Sequence, residues 1–208
     1  MNQAPVVVVG GGAAGMAAAL AARRTDPKRP VVVLAASAGV SNIACGLPYA
    51  AAGDVKSADQ LVARPLSFFT KENKIDVETG ASVFMFDPRA RTVQYKQGAK
   101  SLSLSFGNLI LAMGARAKRP AFLKGPAPLG VFFAMTWNDI DGLREYIGKN
   151  GAKKAAVVGG GLLGIEMAES LARLGLATSL FHGAMFAPSF SRTGAHLIQS
   201  ALEKRKVT

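Results

Sequence analysis

Val6-Val7-Val8-Val9-Gly10-Gly11-Gly12-Ala13-Ala14-Gly15 decides the fold of this chain. Four consecutive β-branched residues read as a strand buried on both faces, the pattern of a parallel sheet rather than of one with a wet face. The glycines that follow have the spacing of a dinucleotide-binding turn. Gly10 permits the tight turn after the strand, Gly12 lets a pyrophosphate approach the backbone, and Gly15 lets the next helix lie close on the strand. An alanine-rich stretch, 14–24, reads as that helix, with phosphates at its N-terminus. Asp26-Pro27 closes it, and 31–34 is a second buried strand, completing a βαβ unit. One part of the pattern is missing. A carboxylate that would bind ribose hydroxyls is expected about twenty residues after the glycines, and Ala35 holds that place. Losing such a charge-assisted hydrogen bond costs roughly 1.5–3 kcal/mol, on the order of 10- to 100-fold in affinity.

A second signature, Gly159-Gly160-Gly161-Leu162-Leu163-Gly164, lies about 150 residues further on, between a strand expected at Lys154–Val158 and a helix at 162–174. A strand at Ala177–Phe181 and a last helix at 193–206 follow. Between the two units, 66–73 reads as a short helix. Strands are expected at Val77, 83–86, 92–95 and 102–106, with Asp87-Pro88-Arg89-Ala90 as a turn, and a further buried strand at 108–112. Proline and glycine cluster in 119–130 as a linker, and 137–148 reads as helix. The fold class is therefore α/β, with two Rossmann-like, three-layer dinucleotide-binding domains at 1–118 and 119–208. The second is incomplete at the C-terminus, so an exposed sheet edge is expected after the last helix.

Of the 208 residues half are hydrophobic and 18% charged, a globular rather than a disordered composition. The net charge of +12 favours anionic partners such as phosphates. Nucleic acid is not expected, because no basic stripe interleaves with aromatics. A membrane span is not expected either, since the uncharged stretch 5–22 is broken by Pro5 and four glycines. One cysteine allows no disulfide within the chain and fits a reducing, cytoplasmic setting. No metal site is expected.

That cysteine lies in Ser41-Asn42-Ile43-Ala44-Cys45-Gly46-Leu47-Pro48-Tyr49. A lone cysteine is ordinarily a small buried hydrophobe, but here Gly46 and Pro48 impose a defined loop. Without a second cysteine it would cycle as a mixed disulfide, a persulfide or a sulfenic acid.

The chain resembles the N-terminal part of the FAD-dependent pyridine nucleotide–disulfide oxidoreductases. It is most similar to their single-cysteine branch of coenzyme A disulfide reductases, persulfide reductases and NADH oxidases. The likeness rests on Ser41-x-x-x-Cys45-Gly46-Leu47-Pro48-Tyr49, Leu61-Val62-Ala63-Arg64, Asp87-Pro88-x-x-Arg91-Thr92-Val93, and Leu109-Ile110-Leu111-Ala112-Met113-Gly114-Ala115, and on both glycine signatures.

The resemblance implies a redox-active flavoprotein in which Cys45 is catalytic. Gly10, Gly12, Ala13, Ala14, Gly15, Ser41, Val83, Ala112, Met113 and Gly114 would contact FAD. Gly159, Gly161, Leu163, Gly164 and Glu166 would hold NAD(P)H. Arg23 or Arg24 would face coenzyme A phosphates. Met113, Leu162 (where an aromatic often covers the flavin) and His182 (where a glutamate would select NADH or a basic residue NADPH) depart from the family pattern. Electrons would pass from NAD(P)H through FAD to a Cys45 mixed disulfide or persulfide, with a small thiol or disulfide such as coenzyme A disulfide as partner. Two alternatives are an NADH oxidase or peroxidase working through a Cys45 sulfenic acid, and a truncated nucleotide-binding module without turnover. Family members are homodimers about twice as long, and their dimerisation domain has no counterpart in these residues.

Overall fold

The computed structural model describes residues 3–183 and 186–208. The chain forms two compact units. One is built from residues up to Ile43 and from Val62–Arg116, the other from Ala44–Leu61 and residues from Ala117 onward. The segment Ala44–Leu61, which lies inside 1–118 along the chain, therefore belongs to the second unit.

The first unit contains β1 (Val6–Val9), α1 (Ala13–Thr25), β2 (Val31–Ala35), β3 (Asp76–Thr79), β4 (Ala81–Asp87), β5 (Thr92–Gln97), β6 (Lys100–Ser105) and β7 (Asn108–Leu111). A parallel sheet has the order β3-β2-β1-β7, and β4-β5-β6 form a separate antiparallel meander. The parallel register pairs Val6–Val9 one for one with Val31–Leu34. Side chains then alternate between two covered faces. Val6, Val8, Val31 and Val33 pack with Met16 and Ala19 of α1. Val7, Val9, Val32 and Leu34 pack with Ala81, Val93 and Tyr95 of the meander. Three layers result, and the unbroken valine run is explained by having cover on both sides.

Three expectations need correction in this unit. The strand expected to be buried at 108–112 is β7, which ends at Leu111 and is half-exposed because it closes the margin of the sheet. The helix expected at 66–73 is present over 66–72, but widens to π type from Phe68 to Glu72. The strand expected at 83–86 spans Ala81–Asp87, with a bulge between Val83 and Met85.

The second unit contains α2 (Leu47–Ala51), α3 (Trp137–Asn150), β8 (Lys154–Val158), α4 (Leu162–Arg173), β9 (Ala177–Phe181) and α5 (Arg192–Lys204). Thr136 and Asp139 cap α3 reciprocally: the Asp139 N–H donates to the Thr136 hydroxyl, and Asp139 accepts from the Thr136 N–H at 2.8 Å. Gly151, at φ +58, ends it in the left-handed region. Leu47, Ala50, Ala51 and Leu61 bury against Ile140 and Met167, which anchors the cysteine segment to α3 and α4. Arg173 and Asp54 add a bidentate pair at 2.9 and 3.0 Å.

β8 and β9 are parallel, but the open edge is not where it was expected. After α5, Val207 bridges Thr178, the Thr208 N–H donates to the Thr178 carbonyl at 3.1 Å, and the Leu180 N–H donates to the Thr208 carbonyl at 2.7 Å. The outer edge of β9 is thus occupied. Among the described residues the unpaired edge belongs to β8, whose residues alternate between exposed and half-buried.

Candidate functional site

Each glycine turn joins a strand to a helix, and its geometry follows from how closely the two must approach. Gly10 has φ +120 and donates to the Leu34 carbonyl at 2.9 Å. A Cβ on Gly10 would overlap the Ala112 carbonyl oxygen, and one on Gly15 would overlap the Gly10 carbonyl, whose carbon would lie 2.9 Å away. Gly12 differs, because a Cβ there would meet no atom within 4 Å. It is the N-cap of α1, with no side chain capping the helix and no acid in the first turn. Gly12, Ala13 and Ala14 are exposed. The free N–H groups of this helix end face open space, an arrangement that suits a pyrophosphate.

The same corner gathers other residues named from the sequence. Ser41, buried and at φ +60, donates its N–H to the Gly11 carbonyl at 2.8 Å and accepts from the Ala63 N–H at 2.9 Å. The Ala112 N–H donates to the Val9 carbonyl at 2.8 Å. Met113 follows, two-thirds exposed, and Gly114 turns at φ +72. Val83 lies elsewhere, on β4 opposite Tyr95, within the cluster built on Val7 and Val9. The turn therefore offers an open helix start that suits a dinucleotide pyrophosphate. The ribose end has no acid: Ala35 is fully buried, and its Cβ lies 2.6 Å from where a Gly11 Cβ would be.

Arg23 has a different role from the one the resemblance implied. Its guanidinium donates to the Pro27 and Arg29 carbonyls at 2.9 Å each and to the Lys74 carbonyl at 2.5 Å. Those three bonds tie the end of α1 to the loops around it.

Cys45 is exposed. It sits in a single 3₁₀ turn, Ala44–Gly46, directly ahead of α2, with Pro48 in the first turn of that helix. Gly46 presses on Leu61, whose side chain a Cβ at that position would overlap. The thiol is held at the surface, beside a half-exposed Tyr49, instead of filling the core.

The second glycine turn repeats the first with different surroundings. Gly159 has φ +132 and donates to the Phe181 carbonyl at 2.7 Å. A Cβ on Gly164 would overlap the Gly159 carbonyl, and Gly161 again faces open space as an uncapped helix start. Leu163 and Glu166 are exposed on α4. A groove of about 790 Å³ runs along the unpaired β8 edge to this turn, with Gly159, Gly161, Leu162, Leu163 and Gly164 in its wall. Where the first unit has Ala35 beside Gly11, the second has His182. Its Cβ lies 2.6 Å from where a Gly160 Cβ would be.

One contact at the second turn escaped the sequence. Ala187, at φ +47, donates its N–H to the Gly160 carbonyl at 2.8 Å, as Ser41 does to Gly11. An alanine carries no signal for that conformation. Among the described residues no group of His, Cys, Asp and Glu could hold a metal ion, and no helix is long and apolar enough to cross a membrane.

Two glycine turns of the dinucleotide type, each on its own parallel sheet, together with one surface thiol, define an oxidoreductase-type α/β protein with two nucleotide cradles. The chain belongs to the pyridine nucleotide-disulphide oxidoreductase family, whose model matches residues 4–208. It is 35% identical over 180 residues to the NAD(P)H coenzyme A polysulfide/persulfide reductase of Pyrococcus horikoshii, covering 86% of this chain and 40% of that protein. It is also 35% identical over 149 residues to the NAD(P)H sulfur oxidoreductase (CoA-dependent) of Pyrococcus abyssi, covering 72% and 32%. Among solved structures, the NAD-dependent persulfide reductase from A. fulgidus superposes with a TM-score of 0.87 at 33% identity, over 98% of this chain and 38% of that one. The chain thus spans about a third to two-fifths of the length of these relatives.

Proposed function

We propose that this chain carries the nucleotide cradles and the reactive sulfur of an NAD(P)H-dependent coenzyme A disulfide or persulfide reductase. The observation that carries this reading is the exposed Cys45, held by Gly46 and Leu61 in a turn that a core cysteine would not need. Residues 1–118 would supply the FAD cradle through Gly10, Gly12, Ala13, Ala14, Gly15 and Ser41, and 119–208 the NAD(P)H cradle through Gly159, Gly161, Leu163, Gly164 and Glu166. Bound FAD would supply a two-electron relay between nicotinamide and sulfur.

Cys45 thiolate attacks one sulfur of a coenzyme A disulfide, forming a Cys45–S–S–coenzyme A bond and releasing one coenzyme A thiolate. Two electrons originating in NAD(P)H then cleave that bond, freeing the second thiol after protonation and restoring Cys45. Such mixed-disulfide cycling suits a reducing compartment, so we place the protein in the cytoplasm, with a small thiol or disulfide as its partner.

The test measures NAD(P)H oxidation with coenzyme A disulfide, and mass spectrometry of the Cys45 adduct. Cys45→Ser should abolish thiol release and the adduct while leaving the fold intact, because the side chain is exposed. Undiminished disulfide reduction by that variant would sink the reading. Oxygen consumption through a Cys45 sulfenic acid, without disulfide reduction, would favour the oxidase alternative, a name carried by a relative from Methanocaldococcus jannaschii 29% identical over 180 residues.

A further inference from the structure

We infer that Asp54 and Arg173 are positioning residues for Cys45: their paired charges fix how the short segment carrying the thiol is oriented on α4. This rests on the reading of Cys45 as the reactive sulfur.

The cysteine segment does not hold its own shape. Residues 44–61 contain two 3₁₀ turns and the five-residue α2, and a helix of that length has no stability of its own in water. Its seat is apolar: Leu47, Ala50, Ala51 and Leu61 lie on Ile140 and Met167. Apolar burial holds a segment down but is non-directional, so it sets the rotation and sliding of α2 poorly. Among the described residues the Asp54–Arg173 fork is the one hydrogen-bonded or ionic link from 44–61 to another element. Its two parallel N–H···O bonds, at 2.9 and 3.0 Å, set orientation as well as distance.

The fork is joined to the thiol by a short run of backbone bonds. The Asp54 N–H donates to the Tyr49 carbonyl at 2.9 Å, the Gly53 N–H to the Ala50 carbonyl at 3.0 Å, and the Ala52 N–H to the Pro48 carbonyl at 2.9 Å. Gly53, at φ +85, turns the chain so that Asp54 follows α2 directly. Cys45 lies three residues before Pro48.

The choice of partner points the same way. Glu169 stands four residues before Arg173 on α4, the favoured order for a local helix pair. Yet Glu169 pairs with Arg205 at 3.1 Å, and Arg173 reaches Asp54, 119 residues away in sequence. The guanidinium that ends α4 is thus directed to the cysteine segment and not to its own helix.

The test follows Cys45 in the chain with two reagents, read by mass spectrometry. Iodoacetamide is small and reports access to the thiol. Coenzyme A disulfide is bulky and reacts only by approach of the thiolate along its S–S bond, so it reports orientation. Asp54→Asn and Arg173→Gln should each slow formation of the coenzyme A adduct about 10-fold through lost attack geometry, with iodoacetamide labelling nearly unchanged. Thermal midpoints should stay within about 4 °C, the scale of a half-exposed pair. The exchanged pair, Asp54→Arg with Arg173→Asp, restores opposite charges and should recover adduct formation, which a general loosening of the fold would not do. Unchanged adduct formation in the single variants, equal slowing of both reagents, or no recovery in the exchanged pair would overturn this inference alone. Absence of any coenzyme A adduct on Cys45 in the original chain would overturn the reading on which it rests.

Discussion

Gly12→Ala and Gly15→Ala make the same change three residues apart, and the structure assigns them opposite consequences. At Gly15 the new Cβ would overlap the Gly10 carbonyl, with its carbon at 2.9 Å, against an ordinary contact of about 3.5 Å or more. The first turn of α1 must lift, which loosens the seat of Met16 and Ala19 on the sheet. The gain in helix propensity of about 1 kcal/mol is outweighed by overpacking against backbone that cannot swing away, leaving a net loss of about 2–3 kcal/mol. For a chain of this size that lowers Tm by about 4–12 °C. At Gly12 the Cβ enters open space and the backbone is at φ −75, which alanine adopts freely. A small loss of N-cap preference and a small gain in unfolded-state entropy nearly cancel, so stability should change by less than about 1 kcal/mol. The methyl group does, however, occupy the approach of the phosphates, and FAD affinity should fall about 10- to 100-fold. Thermal unfolding of both variants, with flavin titration of Gly12→Ala, checks the pair. Equal destabilisation by the two, or unchanged FAD affinity in Gly12→Ala, would refute the claim that Gly15 serves packing and Gly12 serves the ligand.

Two further outcomes follow from contacts outside the cradles. Arg23→Ala removes three charge-assisted bonds to the Pro27, Arg29 and Lys74 carbonyls and should cost about 2–3 kcal/mol in urea unfolding; Arg24→Ala should leave the midpoint nearly unchanged, and equal effects would count against a structural role for Arg23. Burial, and after it the Glu78 carboxylate, pushes the Tyr95 hydroxyl up to about 12. The unfolded chain releases that proton at about pH 10, so the contribution is complete below pH 10 and is lost as pH rises toward 12, by about 2 kcal/mol. Tyr95→Phe should flatten stability over that interval, and an unchanged alkaline slope in the variant would exclude Tyr95 as its source.

The legible parts of this protein were those written in local spacing. An unbroken valine run needs cover on both faces, and Gly-x-Gly-x-x-Gly needs a strand before it and a helix after it, so both βαβ starts could be placed from residues alone. Ala35 and His182 could also be located by counting, because parallel register advances one residue at a time. Less legible were features set by distant partners. The 108–112 segment has the same apolar character as β1, yet β7 lies at the sheet margin and is half-exposed. Arg23 and Arg24 are indistinguishable in sequence, and only the fold brings three carbonyls to one of them.

The sequence by itself determined the two glycine turns, their order, and the single thiol between them, because turn geometry and strand pattern are properties of neighbouring residues. The spacing of Gly10, Gly12 and Gly15 also assigned them turn, ligand and packing roles. Tertiary structure supplied the atoms they meet, the Ala112 carbonyl at Gly10, the Gly10 carbonyl at Gly15 and nothing at Gly12. It also decided that Cys45 stands at the surface and that the edge of β9 is closed by the residues after α5. Exposure and pairing depend on what other parts of the chain bring to a position, and no local pattern records that.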